Sequence, residues 1–248
     1  MIISVINLSS GVVSDARLQN AIRAVNRQIA DDFQPYWGFG ARLRLEGKSG
    51  LGRAAVEAAD MRGDAVLYVR VRPRTVADDG FHDTNFAGIP YGFVYLDVSK
   101  KLKEDWTVTL SHEALELVGD PESNLLVQGP HPKTPDHKVF HWFEMCDAVQ
   151  NESYVIDSIR VSNFVLPLYF TSSGERGGRN DFLGTTTRGK TLQSFGVNPG
   201  GYIGFFDPSA GKAGKDDTFE KDRRGAARLA IKQKLQIGRG QLRRLRSA

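Results

Sequence analysis

The stretch Thr109–Asp120, TLSHEALELVGD, has the most informative pattern in this 248-residue chain. At about 100° per residue, its apolar side chains fill one wide arc of an α-helix. Five polar side chains occupy roughly one quadrant on the other side; they are Thr109, His112, Glu113, Glu116 and Asp120. The pattern predicts a helix from about Asp105 to Gly119. Because most of its circumference is apolar, we expect it to pack centrally.

On the N-terminal side of this helix the chain alternates between strand and helix patterns. The predicted elements are a strand at Ile2–Asn7, a helix from Asp15 to about Phe33, a strand at Ala41–Leu45, a helix around Arg53–Asp60, and strands at Ala65–Val71 and Tyr91–Val98. This order favours the α/β (α+β) class, with a mixed twisted sheet covered by helices and Ala65–Val71 at its centre. After Pro121 the pattern predicts an irregular C-terminal part with strands at Tyr154–Ile159, Val161–Phe170 and Tyr202–Phe206.

The charge distribution divides the chain into an acidic body and a basic tail. Residues 212–248 hold twelve Lys or Arg and four Asp or Glu, a net charge of +8, which leaves −4 for residues 1–211. We therefore interpret 1–211 as a single domain and 212–248 as a partly helical or disordered tail, with a helix predicted at Phe219–Ile237. The tail could bind an acidic partner, nucleic acid or anionic lipid, or could simply be solvated.

The composition also bears on the cellular compartment in which the protein is expected. No apolar run reaches the roughly 18 residues that a membrane span needs. The N-terminus lacks the basic start of a signal peptide, and Cys146 is the single cysteine. A cytoplasmic location is the expectation, with export without a signal peptide left open.

The polar face of the helix has the spacing of a metal site. His112 and Glu116 are separated by four residues, so their side chains can converge on one ion. Glu113 lies beside them, where a general base could activate water. An exposed charged helix face would give the same pattern. A second cluster, HWFEMCD at 141–147, favours the metal site because ionisable groups in apolar surroundings need a partner.

The segment Ser111–Glu116, SHEALE, resembles the His-Glu-x-x-His signature of zincin-like metallopeptidases, with glutamate in the second ligand position. The resemblance covers about residues 1–150. It implies an active-site helix beneath a substrate-binding edge strand, here Tyr91–Leu96. It further implies that His112 and Glu116 bind zinc or another divalent cation, that Glu113 is the catalytic base, and that the substrate is a peptide or protein.

The third ligand stays open at this point. Glu144 fits the thermolysin-like arrangement and is preferred. In the metzincin-like arrangement Gly119 and Glu122 hold the next motif positions, and Met145 could form the Met-turn. The alternatives are Asp120, Glu122, His82, His141 and Asp147, and Asp147 could instead orient a ligand.

The single helix histidine departs from the zincin pattern, in which two are usual. A zinc-dependent peptidase is the main hypothesis. One alternative is a catalytically inactive, zincin-like binding or assembly protein. Another is a carboxylate-rich structural site for Ca²⁺ or Mn²⁺ without hydrolysis. Tyr154 and Tyr169 are further candidates, as stabilisers of a developing oxyanion.

Overall fold

Helices and strands both contribute to the architecture, which confirms the predicted mixed α/β class. The computed structural model describes residues 1–46, 63–71, 82–84, 88–171, 178–184, 191–211 and 214–234. Its helices are α1 (Asp15–Arg27), α2 (Gln34–Trp37), α3 (Leu96–Leu102), α4 (Trp106–Gly119) and α5 (Arg223–Lys234). Its strands are β1 (Ile2–Leu8), β2 (Arg42–Glu46), β3 (Ala65–Arg70), β4 (His82–Thr84), β5 (Pro90–Tyr95), β6 (Leu126–His131), β7 (Thr134–Trp142), β8 (Ser153–Ile156), β9 (Ile159–Ser162), β10 (Tyr202–Asp207) and β11 (Lys215–Glu220).

The first sheet has the order β2-β1-β3-β5-β4. The first four of these strands run parallel, and β4 pairs antiparallel with β5. Strand β3 is central, as its apolar, β-branched sequence predicted, because side chains on both faces of a covered parallel sheet are buried.

The predicted edge strand is wrong. Tyr91–Leu96 corresponds to β5, which has β3 on one side and β4 on the other, and its last residue already belongs to α3. In the described part of the chain the edges are β2 and, next to β5, the three-residue strand β4. So short a strand in a polar segment carries no alternating pattern, so the sequence did not reveal it.

Helices α1 and α4 contact each other and pack on this sheet. Helix α1 begins where the Ser14 side chain accepts a hydrogen bond from the backbone of Arg17, a typical N-cap. A π-helical segment, Gln28–Phe33, joins α1 to α2, so the helical path continues past the predicted end at Phe33. Strand β9 of the β8–β9 hairpin contacts both α4 and α1.

The C-terminal part is more regular than predicted. Four antiparallel strands form a second sheet in the order β11-β10-β7-β6. Strand β10 confirms the prediction at Tyr202–Phe206. Phe219 lies in β11, not in a helix, because this polar edge strand forms by pairing with β10 and lacks an apolar alternation of its own. The predicted helix around Arg53–Asp60 and residues 235–248 lie outside the described residues.

Every helix in the described ranges is too short or too polar to cross a lipid bilayer.

Candidate metal centre

Helix α4 carries the candidate site, and its polar face is buried. The helix begins at the Asp105 N-cap, whose side chain accepts a hydrogen bond from the Thr107 backbone. It ends before Pro121, since a residue that precedes proline avoids the helical region. His112, Glu113 and Glu116 expose only 8%, 3% and 2% of their surface. The alternative of an exposed charged face is therefore excluded.

The fold brings a third residue to the His112–Glu116 pair. His112, Glu116 and Asp147 each offer a donor atom, and these atoms lie within 4.8 Å of one another. The Nε2 atom of His112 is 3.3 Å from Oδ1 of Asp147 and 3.7 Å from Oε1 of Glu116. Donors that bind one ion tetrahedrally at about 2.0–2.1 Å are roughly 3.3 Å apart. The group could therefore hold a divalent cation, with some side chains moving closer to reach that spacing.

The charge of the group also fits a cation. Asp147 and Glu116 are buried carboxylates close to each other and would repel as anions. A divalent cation between them replaces this repulsion with attraction, and a buried charge is stabilised when it coordinates a metal. One imidazole nitrogen and two carboxylates are donors that zinc accepts, and harder divalent ions accept them as well.

Asp147 reaches the site through a short and well-fixed turn. It is the first residue of a 3₁₀ turn, Asp147–Val149. The preceding backbone N–H, of Cys146, donates a hydrogen bond of 2.9 Å to Oε1 of Glu116. Met145 packs directly on the end of α4, where an added Cβ on Gly119 would lie 2.3 Å from the Met145 Cε. These contacts hold the turn against the helix that carries the other two donors.

Glu113 lies beside the donor group at a small cavity. Its Oε1 atom is 3.9 Å from Nε2 of His112. The cavity has a volume of about 20 Å³, room for one water-sized species, and both of these residues line it. Tyr95, Ser99 and Gln150 form other parts of its wall. A carboxylate that faces such a space can exchange a proton with a species held there.

Tyr202, on β10, lies near the donor group and was missed at the sequence level. Burial raises the pKa of Tyr202 well above its usual value, and the carboxylates of Asp147 and Glu144 add to the shift. The phenol therefore keeps its proton at neutral pH. No motif links Tyr202 to α4, so only the fold could reveal their proximity.

The thiol of Cys146 is fully buried next to the donors. Burial raises the pKa of Cys146 well above its usual value, and the charge of Glu116 raises it further. A protonated thiol is a poor metal ligand. Its contribution in the described structure comes from its backbone N–H.

Several predicted ligands lie elsewhere. Glu144 is half-buried and raises the pKa of Tyr202 by its charge. It lies outside the donor group, in which Asp147 is the third candidate donor. Asp120 accepts hydrogen bonds from the backbones of Asn124 and Leu125 and thereby fixes the turn after α4. Asp120 therefore stabilises the loop that follows the helix, as short polar side chains commonly do through hydrogen bonds to nearby backbone groups.

The remaining alternatives have other surroundings. Glu122 is exposed and accepts a hydrogen bond from the Asn124 side chain. His141 is buried within the second sheet, where its Nε2 is 2.8 Å from the carbonyl oxygen of Pro130. His82 lies in β4 opposite Gly92.

The two tyrosines proposed as oxyanion stabilisers have other hydrogen-bond partners. The Tyr154 hydroxyl donates to Asp32, and the Tyr169 hydroxyl donates to the carbonyl oxygen of Gly196. Burial raises the pKa of both phenols. Both hydroxyls thus fix tertiary structure.

A network of buried hydrogen bonds through Ser111 holds helix α4 in place next to His112. The Ser111 hydroxyl donates to Gln28 at 2.6 Å and accepts from the backbone of Ser162 at 2.9 Å. Gln28 in turn donates to the Ser162 carbonyl oxygen. Gln28 lies in the π-helical segment, a type of distortion that is frequent at functional sites.

No protein-family model, no curated protein and no solved structure matches this chain.

Proposed function

We propose that this protein is a metal-dependent hydrolase, and specifically a peptidase, that binds a divalent cation through His112, Glu116 and Asp147. The buried donor group beside Glu113 is the observation that carries the proposal. The resemblance of Ser111–Glu116 to the zincin motif supports it, as does the position of α4 against a mixed sheet with an antiparallel edge strand. Zinc is the proposed cation, and a peptide or protein is the proposed substrate.

A bound cation would supply Lewis acidity, which polarises the scissile carbonyl and makes water more acidic. Glu113 takes one proton from the attacking water as the new carbon–oxygen bond forms. It then gives that proton to the leaving nitrogen as the carbon–nitrogen bond breaks. His112, Glu116 and Asp147 keep their positions throughout, since helix α4 and the 3₁₀ turn hold them.

A structural cation site without hydrolysis is the second candidate. The donors are almost fully buried, and the adjoining cavity, at about 20 Å³, has room for a single water-sized species. Structural metal sites are closed, whereas catalytic sites keep an open position. This candidate shares the ligands and differs in having no role for Glu113.

Elemental analysis of the purified protein tests the metal site. We expect about one zinc per chain in the wild type and almost none in His112→Ala, which removes a ligand. The matched control is His137→Ala, because His137 bonds Asp207 in the second sheet, outside the donor group. A folded wild type that binds no divalent cation, even after zinc is added, would contradict the proposal.

A Glu113→Gln variant separates the two candidates. Glutamine has nearly the same shape but cannot accept the proton, so peptide hydrolysis should fall by about 10²–10⁴-fold while the zinc content stays unchanged. Turnover is measured on a mixed peptide library by mass spectrometry. A metal-loaded wild type without activity on any peptide would favour the structural site, and an active Glu113→Gln would refute the role of Glu113.

A further inference from the structure

The cavity beside Glu113 is too small for a peptide. Its volume is about 20 Å³, which is room for one water-sized species. The candidate donors next to it are buried as well. A peptide that reaches Glu113 must bring the atoms on both sides of its scissile bond, and these do not fit such a space. Part of the cavity wall must therefore move before hydrolysis can begin.

Helix α3 forms one side of this cavity. Val98, Ser99 and Leu102 line the cavity from the helix. Lys100 and Lys101 of the same helix are exposed to solvent. Helix α3 therefore separates the cavity from solvent on this side.

Most of the apolar side chains of α3 lie outside the main core. Its first residue, Leu96, belongs to the large core cluster. Val98 instead packs with Tyr95 in a small separate cluster that Leu102 joins. A helix of seven residues is too short to be stable by itself, so its position depends on these contacts. Active-site lids are drawn from elements with such limited apolar packing.

A hydrogen bond between side chains joins α3 to α4 at the cavity. The hydroxyl oxygens of Ser99 and Thr109 are 2.8 Å apart. Because Ser99 donates its one hydroxyl hydrogen to the Tyr95 carbonyl oxygen, Thr109 is the donor to Ser99. Lys103 follows α3 directly, and its φ of 57° lies in the left-handed region, which is strained for a residue with a side chain. Residues at the ends of elements are typical hinges of lids.

We propose that α3 is a lid over the candidate site, and that it moves away from α4 to admit a peptide to Glu113. This inference rests on the proposed function. The hydrogen bond between Thr109 and Ser99 holds the lid closed, and the backbone at Lys103 takes up the change in direction. The closed lid keeps bulk water out of the cavity, which strengthens the electrostatic interactions there. The same movement opens the route by which a cation enters or leaves the donor group.

The double variant Ser99→Cys/Thr109→Cys tests the lid by locking it. The hydroxyl oxygens at these positions are 2.8 Å apart and a disulfide joins two sulfurs at about 2.05 Å, so two thiols here can be joined with a small shift. Zinc is loaded first. Oxidised glutathione then takes the two thiol hydrogens and leaves as two molecules of reduced glutathione. Mass spectrometry measures the crosslinked fraction.

The matched control is the same variant after reduction by a phosphine, and oxidant-treated wild type controls for the buried Cys146. Two rates are measured: hydrolysis of a peptide library, and transfer of zinc to a chromogenic chelator. A minor open state of about 0.1–10% can carry both processes, and the lock removes it, so both rates should fall by more than about 10-fold. Reduction should restore them. An unchanged rate in either measurement would overturn the inference, because peptide and ion pass the same helix.

If the disulfide does not form, or the double variant does not fold, thiol labelling serves instead. Val98→Cys places a thiol on the cavity side of the lid, and Val69→Cys places one in the central strand β3 as the matched control. Opening of the lid should expose the first thiol without global unfolding, so that it reacts with a thiol reagent more than about 10-fold faster than the second. Equal labelling rates would overturn the inference.

The outcomes separate the two proposals. A wild type that hydrolyses peptides, with a lock that changes neither rate, refutes the lid and leaves the proposed function standing. A zinc-loaded wild type without peptidase activity refutes the hydrolase, and the rate of zinc transfer then decides whether α3 controls access to the ion. A wild type that binds no divalent cation refutes both.

Discussion

Replacing Gly119 with alanine should destabilise the protein through one specific contact. The new Cβ would lie 2.3 Å from Cε and 2.7 Å from Cγ of Met145. Carbon atoms pack at about 3.5–4.0 Å, so the Met145 side chain must move by more than about 1 Å. It is fully buried, and its backbone carbonyl accepts a 2.7 Å hydrogen bond from Val165, so little room exists for the shift.

The magnitude follows from two opposing effects. Overpacking of a core by this amount costs about 1–3 kcal/mol. Alanine is preferred over glycine by up to about 1 kcal/mol inside a helix, and by less at its last residue. We therefore expect Gly119→Ala to lower the free energy of unfolding by about 1–2 kcal/mol. Because Cys146, next to Met145, bonds Glu116, zinc affinity should fall as well.

Urea denaturation of four metal-free proteins measures the effect: the wild type, both single variants and the double variant with Met145→Ala. Met145→Ala alone leaves a cavity and should cost about 2–5 kcal/mol. In that background the close contacts with Cε, Cγ and Sδ of Met145 are gone, so Gly119→Ala should be neutral or stabilising. The expected coupling energy is about 1–3 kcal/mol. A neutral or stabilising Gly119→Ala in the wild type would refute the close-packing argument.

Two further predictions concern residues outside the donor group. Asp120→Ala removes the acceptor of the Asn124 and Leu125 N–H groups and should lower stability by about 1–3 kcal/mol while the zinc content stays at the wild-type level; loss of zinc would restore Asp120 as a ligand. Burial lowers the pKa of His141, so its imidazole binds a proton more readily in the unfolded chain than in the native protein. The free energy of unfolding should therefore decrease as the pH falls below about 6.5, the pKa of histidine in an unfolded chain. The decline should be smaller in His141→Gln, measured by thermal melting at pH 7.5 and 5.5, and equal declines would contradict this account.

Local sequence patterns predicted several helices and strands in the first half of the chain. The strands at Ile2–Leu8 and Ala65–Arg70 and the helix from Asp15 follow from apolar periodicity and an N-cap signal, which are properties of neighbouring residues. The edge strand was predicted wrongly because β4 has three residues and depends on pairing with β5. Strand β11 was missed for the same reason. Its polar sequence has no alternating apolar pattern, and the strand forms by pairing with β10.

Helical spacing alone predicted the helix of the candidate site and placed His112, Glu113 and Glu116 on one face of it, because that spacing fixes the directions of side chains three and four residues apart. It could not predict that this polar face is buried.

The choice of Asp147 over Glu144 as the third candidate donor depends on the tertiary structure. The two residues lie three apart in the chain, and the turn through Met145 and Cys146 determines which of them meets α4. Strand β10, which begins 55 residues after Asp147 at Tyr202, contacts the turn that carries Asp147. A contact over such a distance depends on how the sheets and helices pack, and no local pattern in the chain encodes that.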